Sequence, residues 1–256
     1  MDGLFSLQGK VVLVTGASSG LGAHFARVVG MAGARVVVAA RRVERLQALA
    51  EQLRGQGVEV LAVAMDVTCR ESVEAALDAV EQGFGTVEVV INNAGIGGAA
   101  RALEVSEDDW RAMLSTNLDG VWRVAQAAGQ RLVKAGQGGS IINIASILGE
   151  RVGNGLSHYC AAKAGVIQLT KALALEWARH DIRVNAIAPG YFQTEMNDAY
   201  FESVKGQAYI KAAVPMGKLG QLPQLDGPLL LLASAAGSFM TGAVLAVDGG
   251  HLVSSL

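Results

Sequence analysis

Short, almost wholly apolar runs alternate along this chain with longer stretches in which apolar residues recur every three or four positions. The runs at 11–14, 36–39, 58–64, 87–91, 140–144, 183–187 and 243–247 predict strands. The periodic stretches at 21–31, 43–53, 70–81, 108–134, 157–179 and 225–235 predict the helices between them. Strands apolar throughout, rather than at every second position, are buried on both faces, as in a parallel sheet covered by helices. The pattern therefore predicts an α/β fold: a doubly wound, Rossmann-type parallel sheet of about seven strands with helices on both faces and right-handed crossovers. No Pro/Ser-rich linker, charge run or repeat divides the chain, so a single domain over 1–256 is expected. One segment, 190–219, breaks the alternation and holds three of the four tyrosines (Tyr191, Tyr200, Tyr209) with Phe192, Phe201, Met196 and Met216. A long connection after a strand's carboxyl end is where an open α/β sheet places its ligand, so this segment is expected to be a substrate lid.

Composition narrows the partners. With 51% hydrophobic residues the chain can bury a large core, and 21 Lys plus Arg against 23 Asp plus Glu leave a net charge of −2. That balance lacks the basic footprint of a nucleic-acid binder. The mean hydropathy of +0.35 raises the question of a membrane. The apolar run 229–233 nevertheless falls far short of the roughly 20 residues a span requires. The first residues lack the basic and apolar regions of a signal peptide. Two cysteines, Cys69 and Cys160, fit a reducing compartment, and His24, His158, His180 and His251 show no ligand spacing. A cytoplasmic protein without a metal, a membrane partner or a nucleic-acid partner is expected.

The first strand runs into Thr15-Gly16-Ala17-Ser18-Ser19-Gly20-Leu21-Gly22. Gly16 suits a tight turn, Gly20 close approach of backbone to a pyrophosphate, and Gly22 close helix-on-sheet packing, while the helix start attracts an anion. The spacing is not G-x-G-x-x-G, and an ordinary glycine-rich turn has the same composition. At the end of the second strand, Ala39-Ala40-Arg41-Arg42 offers no acid until Glu44. An acid there accepts from a ribose 2′-hydroxyl, whereas Arg suits a 2′-phosphate. Arg41, supplemented by Arg42 and Ser18, thus favours NADP(H) over NAD(H), the other reading being two solvated arginines at a helix start.

Tyr159 and Lys163 stand four residues apart in a helix-patterned stretch and share a face. An ammonium beside a phenol is expected to lower its pKa from about 10 toward acid/base range. Chance pairs of this kind are common. Ser146 follows the fifth predicted strand, thirteen residues before Tyr159, and Asn117 sits in a helical pattern although Asn prefers caps.

Taken together, Thr15 to Gly22, Asp66-Val67, Asn92-Asn93-Ala94-Gly95, Asn117, Ser146, Tyr159 to Lys163, Pro189-Gly190 and Thr194 resemble the short-chain dehydrogenase/reductase family over nearly the whole chain. The resemblance implies an oxidoreductase that interconverts a ketone and a secondary alcohol by hydride transfer. Tyr159 would be the general acid/base and Ser146 would hydrogen-bond the reacting oxygen. Lys163 would hold the nicotinamide ribose, and Asn117 would retain a water leading to Lys163. Asp66 and Val67 would contact the adenine, and Asn93, Ala94 and Gly95 would line the ribose side. Phe192 and Thr194, after Pro189 and Gly190, would hold the carboxamide. A homotetramer is also implied. The sequence looks like the branch of 3-oxoacyl thioester reductases, and the apolar-aromatic lid favours a substrate with an apolar portion. The alternatives are a sugar, polyol or steroid dehydrogenase using NAD(H) and, in another class, a non-catalytic cofactor-sensing protein. Asp248 reads as a turn residue.

Overall fold

The computed structural model describes residues 3–193 and 201–254. Seven strands form one parallel sheet: β1 Val11–Thr15, β2 Arg35–Ala40, β3 Val60–Ala64, β4 Val89–Asn92, β5 Gly139–Ile144, β6 Ile182–Pro189 and β7 Val244–Val247. Their order is β3-β2-β1-β4-β5-β6-β7. The helices are α1 Gly20–Met31, α2 Val43–Gly55, α3 Arg70–Gly83, α4 Glu107–Leu114, α5 Gly120–Ala135, α6 Ser157–Trp177, α7 Val204–Ala213 and α8 Asp226–Ala233.

The all-apolar strands are explained by two cores. Val12 and Val14 of β1 join α1, α2 and α8 on one face, while Val11 and Leu13 join α3, α5 and α6 on the other. The chain reverses direction across the sheet between β1 and β4. Their carboxyl ends therefore diverge into a crevice, the usual ligand position in such a fold.

The centre of the sheet is not wholly apolar. Asn92 Nδ2 donates to Asn143 Oδ1 (3.0 Å) and to the Val121 carbonyl (3.3 Å), linking β4, β5 and α5. Asn143 Nδ2 donates to Thr170 Oγ1 (2.9 Å), whose hydroxyl donates to Val166 O within α6 (2.8 Å). All three side chains are buried, and each spends its polar atoms on another.

Two expectations change. The stretch 108–134 is not one helix: α4 and α5 are joined by a π-turn, Ser115–Asp119, in which the Gly120 amide donates to the Ser115 carbonyl. The inserted residue preserves the apolar periodicity on either side, which is why the pattern reads as continuous. The lid differs as well. Phe201, Ile210 and Val214 are buried together, with Tyr191 and Leu219 packed on them. Phe201, Ile210 and Val214 thus build a small core inside the lid, while Tyr191, Phe192, Met216 and Leu219 line a second cavity of about 120 Å³ beside it, with Met216 exposed. Met196 and Tyr200 lie outside the described residues.

Candidate active site

The glycine loop is shaped by close approach. Gly16 has φ +67°, and a Cβ there would come within 2.7 Å of Ala94 Cα; at Gly22 it would come within 2.4 Å of the Gly16 carbonyl oxygen. Thr15 is the hub: its Oγ1 donates to Ile91 O (3.4 Å) and accepts from the amides of Asn93 and Ala94 (3.0 Å each). Asn93 Nδ2 returns a bond to Thr15 O (3.0 Å), so the Asn92-to-Gly95 turn holds the glycine loop open. Ser19 occupies the cap position of α1 without capping it. Its hydroxyl instead accepts from Arg42 Nη2 at 2.8 Å, as does that of Ser18. The first amides of α1 are left to face an anion.

A cleft of about 540 Å³ runs from this loop to the end of β5, and Ser18, Ser19, Gly20, Leu21, Arg41, Arg42, Asp66, Val67, Asn93, Ala94, Gly95, Ser146, Tyr159, Lys163, Pro189, Gly190 and Phe192 line it. Arg41 and Arg42 lie exposed at the end of β2. Burial opposes ionisation of Asp66. Hydrogen bonds from the Thr68 hydroxyl (2.7 Å) and amide (2.9 Å), with the charges of Arg41 and Arg123, outweigh it and hold the carboxyl below its ordinary value. The cleft's size, its glycine cradle and its cationic end fit a dinucleotide. Sequence reasoning missed Met65, Thr68, Ile96, Gly97 and Thr116, which also line the cleft. Their only signal was adjacency to Asp66, Gly95 and Asn117.

At the other end of the cleft, Ser146 follows β5, buried, and its Oγ accepts from the Leu148 amide (3.1 Å). Ser146 and Tyr159 line the same end of the cleft. Lys163 is buried one turn along α6 and donates from Nζ to the Ile144 carbonyl (2.7 Å). The expected lowering of the Tyr159 pKa is not what this geometry produces. Burial raises it; the nearby Ser146 hydroxyl works the other way, and Cys160 reinforces the rise. Lys163 is itself lowered to about 8, because burial penalises its charge. Its ammonium lies 5.7 Å from the centroid of the Tyr159 ring and bonds a backbone oxygen, not the phenol.

Asn117 sits within the π-turn, which explains its place in a helical pattern. Both ends of its amide bind one residue: Ile96 N–H donates to Oδ1 and Nδ2 donates to Ile96 O, each at 2.8 Å. The side chain thus braces the loop after β4 and does not reach toward Lys163. Phe192 is buried, its ring against Gly220 where the two residues bridge. Thr194 lies outside the described residues. Asp248 proves to be a turn residue, accepting from the Gly250 amide (2.9 Å) and the Leu252 amide (2.5 Å). Among the described residues no helix is long and apolar enough to cross a membrane, and no group of His, Cys, Asp and Glu is placed to hold a metal ion.

Known proteins were compared with this chain. The model of the short chain dehydrogenase family matches residues 10–205. A gluconate 5-dehydrogenase of Gluconobacter oxydans is 38% identical over 98% of both chains. A 3-oxoacyl acyl-carrier-protein reductase of Thermotoga maritima is 36% identical over 96% of this chain and 99% of its own. The crystal structure of a gluconate 5-dehydrogenase from Burkholderia cenocepacia in complex with NADP and tartrate superposes with a TM-score of 0.96, at 37% identity and 99% coverage of both chains. The chain belongs to the short-chain dehydrogenase/reductase family, the NAD(P)-dependent oxidoreductases that act on CH–OH groups.

Proposed function

We propose that this protein interconverts a ketone and a secondary alcohol on a sugar acid, using NADP(H). The observation that carries the chemistry is the convergence of Ser146, Tyr159 and Lys163 on one end of the cleft. Two hydroxyls converging on one point can hold a carbonyl oxygen and stabilise the charge it gains. When bound, the nicotinamide supplies or accepts the hydride at the substrate carbon. Tyr159 gives its proton to the oxygen in reduction and takes it back in oxidation. Ser146 fixes that oxygen, and Lys163 orients the ribose. Asn117 is read as retaining a water that leads protons to Lys163, while its side-chain amide braces Ile96. Arg41 at the end of β2, with Arg42 tethered to Ser18 and Ser19, supports a 2′-phosphate.

The substrate class draws support from the gluconate enzymes to which the chain is similar. The second reading, a 3-oxoacyl thioester, is supported by the similarity to the Thermotoga maritima reductase. A cytoplasmic homotetramer completes the proposal. The experiment is NADPH consumption, followed by absorbance, with 5-keto-D-gluconate, other keto sugar acids, polyol-derived ketones, cyclic ketones and acetoacetyl-CoA. The highest kcat/KM is expected with a keto sugar acid. A clear preference for the thioester moves the assignment to the second reading, and no consumption with any compound removes both.

A further inference from the structure

Arg151 lies five residues beyond Ser146, in the loop between β5 and α6. Its Nη1 donates to the carbonyl of His251 and to Ser254 Oγ (2.8 Å), and Ser254 Oγ donates to the same carbonyl (2.9 Å). The far end of that turn, His251–Val253, is pinned by Asp248 through the Gly250 and Leu252 amides. Gly250, at φ +87°, supplies the left-handed residue that the turn needs. The turn touches three segments around the reacting point. Leu252 packs on the cluster of Ile147, Leu148, Leu156 and Tyr159. The buried His251 ring lies 5.2 Å from that of Tyr191 and 6.4 Å from that of Tyr209. Tyr191 in turn immediately precedes Phe192, a lining residue of the cleft.

We propose that Arg151 is a positioning residue for the redox reaction. It fastens the turn His251–Val253 against the site, and through that turn fixes Tyr191 on the side that holds the substrate. Three observations carry this. Asp248 pins the turn at its start, and the side-chain bonds that hold its end, beside the turn's own backbone bonds, come from the guanidinium and from the hydroxyl that the guanidinium binds. The His251 imidazole packs as an apolar ring because burial and the Arg151 charge favour its neutral form against the opposing pull of Asp248. Neither Arg151, Asp248, His251 nor Leu252 lines the dinucleotide cleft, so loss of the fastening acts on the substrate side.

The test compares wild type with Arg151→Met, which keeps the stem and removes the guanidinium, using whichever carbonyl compound wild type reduces fastest. The choice of compound makes the result independent of the sugar-acid assignment. Arg151→Met is expected to raise the substrate KM about tenfold, with kcat within about twofold and the Kd for NADPH unchanged. Arg151→Lys should recover part of the loss. Hydrogen–deuterium exchange, which needs no substrate, should show faster exchange over 251–254 in Arg151→Met. Ser254→Ala, a milder change if Arg151→Met folds poorly, should shift KM the same way by about two- to threefold. Unchanged exchange over 251–254 overturns the fastening, and faster exchange with unchanged KM overturns its effect on the substrate. Parallel losses in kcat, substrate KM and NADPH affinity overturn the positioning role in favour of a general structural one.

Discussion

The Lys163 ammonium lies 5.7 Å from the centre of the Tyr159 ring, yet its hydrogen bond goes to the backbone of β5. Four residues along one helix bring the pair together, and the strand decides where the charge points. Since burial lowers Lys163 to about 8 and raises Tyr159, the two titrations are driven apart, the ammonium losing its proton well before the phenol.

This sets the pH dependence of turnover. Oxidation needs Tyr159 to accept a proton and reduction needs it to donate one. With the phenol raised, kcat/KM for alcohol oxidation should climb through pH 8 and continue upward, while that for ketone reduction holds at neutral pH and declines in base. Profiles in both directions check this; an oxidation plateau already reached below pH 7 would show a phenol acidified after all.

Lys163 also costs stability in the free protein. Its folded pKa of about 8 lies below the ordinary 10.5, so between these values the unfolded chain holds a proton that the folded one does not, and stability rises with pH across that window. Below pH 8 the penalty is fully present, on the order of 3 kcal/mol. Lys163→Met forfeits the bond to Ile144, so its net gain at pH 7 should be on the order of 1–2 kcal/mol, shrinking toward pH 10, with turnover lost. Urea melts at the two pH values read this directly. A destabilised variant at pH 7 would mean that the ammonium is well solvated.

Tyr159→Phe should reduce kcat/KM by about three orders of magnitude, and Ser146→Ala by about two, with NADPH affinity within twofold in both. Steady-state kinetics and a cofactor titration separate the effects. Substantial activity in Tyr159→Phe removes the phenol from its role.

The two arginines after β2 should behave differently. Arg41→Asp should invert the NADPH/NADH ratio of kcat/KM, because an acid there repels a 2′-phosphate and accepts from a 2′-hydroxyl. Arg42→Gln removes the tether to Ser18 and Ser19 and should weaken both cofactors together. An unaltered ratio in Arg41→Asp would leave the preference to another residue.

Much of this was legible in the sequence because burial writes itself into composition. Strands covered on both sides had to be apolar throughout, and the glycines at 16 and 22 had to lack a Cβ wherever backbone approaches backbone. What stayed hidden was long-range or periodicity-preserving. The π-turn at Asn117 adds a residue without disturbing the apolar stripe. The lid's aromatic residues look alike in sequence whether they face a ligand or one another, and only packing showed that Phe201 turns inward. The bond from Arg151 to His251 spans a hundred positions and leaves no local trace. The lowering of the phenol pKa failed for a related reason: spacing gives proximity, whereas desolvation depends on everything packed around the pair.

The amide chain Asn92–Asn143–Thr170 has a last consequence. Neighbouring strands made only of Val, Ile and Ala would fit almost as well after sliding by two residues, since each face would still meet hydrocarbon. A carboxamide dowelled through the middle of the sheet allows one alignment only; any slip strands it in oil without a mate. Ser146, three positions downstream of Asn143 and just past the end of β5, inherits that alignment.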